Sequence, residues 1–574
     1  MIVLCRNIFS SPIRYTCIFF LLFGFLSPIY TYDISHAIQS SQAAGNDAVR
    51  EEIKKRIGYL HTNGDLTVQN CPICSKTVIP LLYERFAFNP AWTNKKSVDQ
   101  LILVLETIDG DGLDSSDYHL PLIKDLWAQL KSDNDVSPSF VADFDLLLSD
   151  SLVRLGYHLL VGKVDPVELD TNWNMDRAVG DPDQILQMAT SIGEGSIVNL
   201  IQNMRPQAEI YTHLRSALSQ YKSIKARGGW GQIVKGSLLK RGMTHRRVVS
   251  LRKRLIITND LAVEKQGNPL FDQATEEAVR HFQKRHGLVA DGIVGNITLS
   301  ALNKPVEERI NQILVNLERG RWVLHDLPSQ FVLVDIAGFE VRYLLDKTSF
   351  FETRAQVGTK YRKTPVFKSE IKFLVLNPTW TVPTTIFLKD ILPKVKEDPE
   401  YLKERRLRVI TYKGENVNED AINWSSYPKE GFPYLLRQDP GPTNALGRIK
   451  FMFPNSHDVY LHDTPNKSLF ENQERTFSSG CVRIENPFTF AELLLDDDAW
   501  TQEELMKVLD SKETRQISLN KPVTILLQYW TVTVDNAGTV SFKKDIYERD
   551  HSILTGLNAQ FTFRERPLLN NTDF

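Results

Sequence analysis

The pattern of apolar residues changes between Arg321 and Gln330, and this change limits the folds that are open to the chain. Before Arg321, apolar residues recur at helical spacing, as they do over residues 144–160. After Gln330, β-rich runs alternate with turn residues, at 330–335, 341–345, 372–376 and 521–529. Helices followed by a separate run of strands are typical of α+β proteins. We therefore predict an α+β multidomain chain with an all-α first part and a mostly β last part.

Length and charge narrow the class of protein. The 574 residues are enough for about four domains and several hydrophobic cores. Hydrophobic content of 42% and charged content of 24% are those of a soluble globular protein. The 68 basic residues are balanced by 70 acidic ones, and this balance argues against nucleic acid as a partner.

The first 37 residues differ from the rest. Arg6 and Arg14 precede an apolar run at 17–26, and Ser35-His36-Ala37 offers a small-x-small cleavage site. This arrangement is typical of a secretory signal. An uncleaved membrane anchor is the alternative, although Pro28 shortens the apolar span. We predict a signal peptide or anchor at 1–37 and export of the chain, with a membrane tether through the N-terminus left open.

Export makes the cysteines informative. Of the five, Cys5 and Cys17 lie in the predicted signal, and Cys71 and Cys74 form Cys-Pro-Ile-Cys, which leaves Cys481 alone. An unpaired thiol in an oxidising compartment is a candidate reactive group. For Cys71 and Cys74 the sequence favours a local disulfide over a zinc site or a thioredoxin-type redox site, and we assign the pair no catalytic role.

Turn residues divide the remaining chain. Residues 38–226 are predicted to form a helical scaffold, and the glycine-rich, basic stretch 227–243 a linker. In 244–303 the motif Thr275-x-x-Ala278-Val279 recurs 23 residues later, which indicates a small helical module. Residues 304–535 form the predicted β domain, with a charged helical insertion at about 386–427, and 536–574 a C-terminal tail.

Within the module, two residues mark the ends of one helix. Asp272 can cap a helix whose Ala278, Val279 and Phe282 share a face. Gly287 sits where a left-handed residue is wanted at the C-terminus of that helix.

Residues 458–487 hold the candidate site. His462 and Cys481, which follows 19 residues later, are a base and a potential nucleophile. Alternation with Val459 and Leu461 places Tyr460 and His462 on one strand face. The small residues 478–480 let backbone N–H groups approach a reacting atom closely. Taken singly, a cysteine is more often a small buried hydrophobe and a histidine a hydrogen-bonded structural residue.

Several motifs carry a resemblance to a known family. His462-Asp463-Thr464 followed by Ser478-Ser479-Gly480-Cys481-Val482-Arg483 resembles the signature of the YkuD-type L,D-transpeptidase catalytic domain, and the segments 377–383 and 439–448 are similar to others of that domain. Asp463 and Ser479 replace the glycine and histidine that are common in the family, as in its large Gram-negative members. Residues 282–295 resemble a peptidoglycan-binding module, and the helical region resembles the scaffold of the large transpeptidases.

The resemblance implies a function and a set of roles. It implies a transpeptidase that joins peptidoglycan stems through a thioester on Cys481, with His462 moving the proton, the carbonyl of Asp463 orienting the imidazole, and N–H groups near Gly480 holding the oxyanion. It also implies that the insertion is a lid over the cleft. The predicted substrate-binding residues are Arg483, Ser479, Ser478, Tyr460 and Trp380.

The same resemblance implies peptidoglycan as partner and the periplasm as location, with no metal and no cofactor. Other cell-wall synthases are a further open partner class. Two alternative functions remain: an L,D-carboxypeptidase that trims tetrapeptide stems, and a wall-binding scaffold without catalysis.

Overall fold

The computed structural model describes residues 32–133, 135–169, 173–175, 182–263, 267–346, 348–398, 400–427 and 431–561. The predicted signal run at 17–26 lies outside these residues. In the described part, no helix combines the length and the apolar character that crossing a membrane requires.

Helices build the first part of the chain around one hydrophobic core. The central helix, rich in leucine, is buried along nearly its whole length, including Asp145, Asp150, Arg154 and His158. A two-strand ribbon precedes the second helix. The elements are α1 Tyr32–Asn63, β1 Thr67–Val68, β2 Cys71–Pro72, α2 Val78–Arg85, α3 Lys95–Thr107, α4 Leu120–Ser132, α5 Pro138–Leu160, α6 Pro166–Leu169, α7 Pro182–Glu194, α8 Ile197–Met204 and α9 Glu209–Ala226.

Three helices form the small module, and their caps follow the predicted positions. The helices are α10 Arg246–Ile257, α11 Gln273–Arg285 and α12 Asn296–Leu302. The Asp272 carboxylate accepts from Thr275 N–H at the start of α11, and Gly287 is left-handed with φ of 61° after its end. The predicted linker is not free of the module, because Ile233 and Leu239 are buried in the module's core.

A long helix, α13 Val306–Val323, joins the helical part to the β domain. It packs against α9 on one side and against the C-terminal segment on the other. It ends two residues after Arg321, where the pattern of apolar residues changes.

The β domain is a sheet that closes on itself. Its strand order is β13-β5-β14-β12-β11-β6-β15-β3-β4, and β4 also pairs with β5. The alternating apolar residues of these strands fill the interior, with Phe451, Leu461 and Val482 fully buried. The strands are β3 Gln330–Asp335, β4 Glu340–Leu345, β5 Thr348–Gly358, β6 Phe367–Leu376, β11 Ile449–Met452, β12 Leu461–His462, β13 Thr476–Ser478, β14 Val482–Ile484 and β15 Arg515–Gln528.

The insertion differs from the helical lid that the sequence predicts. It contains short helices and also a four-stranded antiparallel sheet of order β7-β10-β8-β9, with its own apolar core. The alternating residues of 407–410 and 435–438 pair with each other, and this pairing extends the unit to residues 380–438. Its elements are β7 Trp380–Thr381, α14 Thr384–Ile386, a π-helix Phe387–Ile391, α15 Leu392–Glu397, α16 Tyr401–Glu404, β8 Leu407–Ile410, β9 Asn416–Val417 and β10 Leu435–Gln438.

The C-terminal segment is also more ordered than a tail. After α17 Pro487–Leu495 and α18 Gln502–Asp510, strands β16 Val532–Val534 and β17 Val540–Phe542 form a hairpin that packs on α9 and α13. Helix α19 Asp550–Asn558 buries Ile553 and Leu557 against α13. The apolar residues of this segment explain the difference, because they complete cores that begin elsewhere in the chain.

Candidate active site

The candidate residues share one face of the closed sheet. Lys450, His462, Arg483 and Gln356 are partners in register across the neighbouring strands β11, β12, β14 and β5, so their side chains form one row. Tyr460 and Cys481 lie two residues before His462 and Arg483 and therefore point to the same side. The strand residues between them, Leu461 and Val482, point into the core.

The Cys481 thiol is neutral at rest. Burial raises its pKa to about 11, and the smaller effects of the Tyr460 N–H and the Arg483 charge, which lower it, do not compensate. The thiol Sγ lies 3.6 Å from the carbonyl oxygen of Asp458, to which it donates. A thiolate kept ionised beside the imidazole is therefore not the resting state, because burial penalises both charges.

His462 is a neutral imidazole with one orientation. Burial, and next the positive charge of Arg483, lower its pKa to about 3. Its Nδ1 lies 2.5 Å from the carbonyl oxygen of Asp463, and because a carbonyl only accepts, Nδ1 carries the hydrogen. Nε2 is then left as the acceptor that a general base needs.

The side chain of Asp463 serves the strand connection. Its Oδ2 accepts from Arg448 N–H at 2.9 Å, and its Oδ1 pairs with Lys467 Nζ at 2.7 Å. A Cβ at Gly447, which is left-handed at φ 65°, would overlap this carboxylate. Asp463 thus holds the backbone whose carbonyl orients His462.

The loop before Cys481 is fixed by Ser478. The Ser478 hydroxyl donates to the Cys481 carbonyl at 2.5 Å and accepts from Gly480 N–H at 3.1 Å. Gly480 adopts φ of 123°, which favours glycine. The Gly480 N–H is therefore already used, and among the described residues no acceptor takes the N–H of Cys481. The backbone N–H of Cys481 is therefore the donor that remains free to bind an oxyanion.

A second set of contacts orients the Gly480–Cys481 peptide through its carbonyl oxygen. Thr364 Oγ1 donates to the Gly480 carbonyl at 2.8 Å and accepts from Gly358 N–H at 2.9 Å. Thr364 N–H donates to Tyr547 Oη at 3.1 Å, and that hydroxyl donates to the Gly358 carbonyl at 2.7 Å. Because a trans peptide directs its C=O and N–H to opposite sides, the bond at Gly480 points the Cys481 N–H away from Thr364.

Ser479 connects the loop before Cys481 to the insertion. The Ser479 hydroxyl accepts from Arg362 Nη1 at 2.9 Å, and the same guanidinium forms a two-pronged pair with Asp390 of the insertion's π-helix. A glycine is needed at position 358 because the segment 358–364 folds back on itself, and a Cβ at Gly358 would overlap the Arg362 carbonyl.

The structure brings most of the predicted site residues together. Tyr460 lies beside the thiol and presents its ring edge to His462, with centroids 5.7 Å apart. Trp380 packs instead against the insertion's apolar core, and Ser478 is buried with its hydroxyl bonded inside the loop. These two positions do not support direct contact with a substrate.

Sequence reasoning missed four residues around the site: Lys450, Gln356, Thr364 and Tyr547. Only Lys450 had a local signal, as a cation between the apolar residues Ile449 and Phe451 of a strand. The others come from distant segments that pairing and packing bring to the loop.

The two other cysteines among the described residues lie in the helical part. Cys71 and Cys74 are free, so the expected local disulfide is not formed. Burial raises the pKa of both, and Cys74 N–H donates to buried Asp150 at 2.5 Å. No cluster of three or more potential metal ligands is found in the described residues.

Three family models match consecutive parts of the chain. Residues 78–218 match a scaffold domain, 244–302 a domain described as "Putative peptidoglycan binding domain", and 329–523 an L,D-transpeptidase catalytic domain. The last range contains His462 and Cys481 but ends before the C-terminal segment that carries Tyr547.

Relatives of known sequence or structure are also found. A protein of Haemophilus influenzae named "Putative L,D-transpeptidase" is 37% identical over 248 residues, which are 43% of this chain and 50% of that protein. The chain thus spans about half the length of this curated relative. An L,D-transpeptidase structure from Stackebrandtia nassauensis is 13% identical over 52% of this chain and 97% of its own, with a TM-score of 0.20. One from Xylanimonas cellulosilytica is 14% identical over 51% and 99%, with a TM-score of 0.17.

Proposed function

We propose that this chain, whose residues 329–523 match the model of the YkuD-type L,D-transpeptidase catalytic domain, forms 3→3 cross-links in peptidoglycan through a thioester on Cys481. The observation that carries the proposal is the common face shared by Cys481 and an oriented neutral His462 in a chain that also has a peptidoglycan-binding domain. The proposal includes export to the periplasm, where these stems lie.

Acylation begins from a neutral pair. The Cys481 sulfur attacks the carbonyl carbon between the L-centre of diaminopimelate and the terminal D-Ala of a donor tetrapeptide. As the carbon–sulfur bond forms, the thiol proton passes to His462 Nε2, and the Cys481 N–H takes the oxyanion. The carbon–nitrogen bond then breaks, and His462 returns the proton to the D-Ala amine, which leaves.

Transfer to the acceptor reverses these roles. The side-chain amine of a second stem attacks the thioester carbon, and His462 accepts a proton from that amine. Collapse of the intermediate forms the new amide and breaks the carbon–sulfur bond. The sulfur leaves with the proton from His462, which restores the neutral pair.

The insertion is proposed to cover the substrate cleft. The Arg362 contacts with Ser479 and Asp390 support this role, because they connect the insertion directly to the loop that carries the nucleophile. Its separate apolar core supports movement as a unit.

Purified muropeptides test the function directly. With tetrapeptide stems, the wild-type protein is expected to release D-Ala, gain the mass of one acyl group on Cys481, and produce a cross-linked dimer. Cys481→Ala should abolish all three, whereas Cys71→Ala, which removes a thiol far along the chain, should retain them. Dimer formation by Cys481→Ala would reject the mechanism. Trimmed monomer without dimer would indicate a carboxypeptidase, and no change in any muropeptide a scaffold without catalysis.

A further inference from the structure

Two cations flank the catalytic imidazole without an acidic partner. Lys450 on β11 and Arg483 on β14 are both register partners of His462, one on each side. Neighbouring strands lie about 4.8 Å apart, so the two cations begin about 10 Å from each other and point to the same side. Cys481 lies two residues before Arg483 on the same chain segment, at the level of Tyr460.

Neither cation forms an ion pair with any described residue. Arg483 Nη1 has only the neutral Gln356 Oε1, at 3.4 Å, and its buried Nε has no hydrogen-bond partner. Lys450 Nζ lies over the Tyr460 ring, 5.6 Å from the centroid. Asp458, whose charge acts on the Cys481 thiol, is exposed and forms no ion pair with either cation, and Glu485, two residues after Arg483, is paired with Arg354.

Two other half-buried cations of the same domain, Arg342 and Lys543, are paired with acids. Arg342 contacts Glu340 at 3.1 Å, and Lys543 pairs with Asp335. A partly buried charge without a counter-ion costs free energy, and burial lowers the pKa of both Lys450 and Arg483. Two unpaired cations beside a nucleophile therefore indicate an anion-binding site.

We propose that Lys450 and Arg483 form a receptor for a free carboxylate of the donor stem, next to the amide that Cys481 attacks. This inference rests on the proposed function and adds the feature of the substrate that is recognised. A tetrapeptide stem offers two carboxylates near that amide: the one on the terminal D-Ala and the one on the D-centre of diaminopimelate. Lysine and arginine both bind carboxylates through charge-assisted hydrogen bonds.

Amidated stems test the receptor and distinguish its two sources. Three donors are compared: the free acid, the terminal D-Ala amide, and the amide at the D-centre of diaminopimelate. The rate of acyl-enzyme formation on Cys481 is followed by intact mass over a range of donor concentrations. One of the two amides removes the recognised carboxylate. With that donor, the efficiency of Cys481 acylation in the wild-type protein should fall at least about tenfold, mainly through a higher KM.

The variants must then lose this discrimination. Lys450→Met and Arg483→Gln should be slow on the free acid and equally slow on the amide, while Lys450→Arg and Arg483→Lys should recover part of the difference. Lys372→Met removes an exposed lysine from the neighbouring strand β6 and should behave like the wild type.

Alkylation separates this role from an effect on the thiol. Iodoacetamide reacts with the Cys481 thiolate without any substrate carboxylate, so its pH profile reports the thiol alone. Equal rates for all three donors in the wild type would overturn the inference. So would variants that lose rate equally on all donors while the alkylation profile moves to higher pH. A wild-type protein that is not acylated by any donor would instead reject the proposed function.

Discussion

At the scale of the residue, the chemistry depends on two neutral groups that become reactive together. Burial holds Cys481 as a thiol and His462 as an imidazole, since a separated charge pair would be poorly solvated on this face. The Asp463 carbonyl leaves only Nε2 available to accept a proton. In the proposed mechanism, proton transfer is therefore coupled to attack on the substrate.

The raised pKa gives a prediction for chemical modification. Because the pKa of Cys481 is about 11 against an ordinary value of 9.0, its thiolate population near neutral pH is about a hundredfold lower than that of an ordinary cysteine. The rate of iodoacetamide alkylation, followed by mass spectrometry of the Cys481 peptide, should still rise about tenfold per pH unit from pH 8 to 10. The unfolded chain should level near pH 9. A folded-state plateau by pH 8 would indicate a thiolate paired with an imidazolium.

At the scale of the element, the loop before Cys481 is held by residues from three places in the chain. Ser478 fixes it from within, Thr364 bonds the Gly480 carbonyl, and Tyr547 positions Thr364. Tyr547 is 1% exposed and lies beyond the residues that match the catalytic-domain model. The C-terminal segment thus supports the direction of the Cys481 N–H.

Loss of this support should slow acylation selectively. Thr364→Val keeps the shape of the side chain but removes the bond to Gly480, and we expect roughly ten- to a hundredfold slower acylation of Cys481 by a donor tetrapeptide stem. Thr364→Ser should be close to wild type, and Tyr547→Phe should lie between them. Alkylation by iodoacetamide, which forms no oxyanion, should be unchanged in all three. Parallel losses in both reactions would contradict this explanation and indicate a general disturbance of the loop.

At the scale of the whole molecule, a buried ionic group joins the helical part to the β domain through α13. Glu318 and Arg321 are both fully buried and paired. Glu318 Oε1 accepts from Val164 N–H at 2.6 Å, and Arg321 Nη1 donates to the Asp111 carbonyl at 2.8 Å. The same helix contacts α9, β16 and α19. Helix α13 and its buried charges therefore contribute to the relative placement of the parts.

Breaking this group should destabilise the assembly. Glu318→Gln leaves Arg321 without its buried counter-ion, and we expect the free energy of unfolding to fall by about 3–5 kcal/mol. Thermal and denaturant unfolding measure the loss. The matched control is Glu503→Gln, which breaks a surface pair with Lys507 and should cost about 1 kcal/mol or less. Equal stability of the two variants would contradict a structural role for the buried pair.

The sequence by itself determined the features that depend on near neighbours. Alternation of apolar and polar residues predicted the strands around Gln330 and Val341 and the common face of Tyr460 and His462. Asp272 and Gly287 predicted the two ends of a helix, because helix capping depends on local hydrogen bonding and backbone conformation. The motif around Cys481 also indicated the L,D-transpeptidase catalytic-domain model that residues 329–523 match.

Only the tertiary structure decided how the site is surrounded and charged. Strand register brought Lys450 and Arg483 to opposite sides of His462, and packing brought Tyr547 to Thr364. The same long-range contacts made the insertion partly a sheet and ordered the C-terminal segment. Register and burial depend on residues far apart in the chain, so the protonation of Cys481 and His462 could not be inferred from their own neighbours.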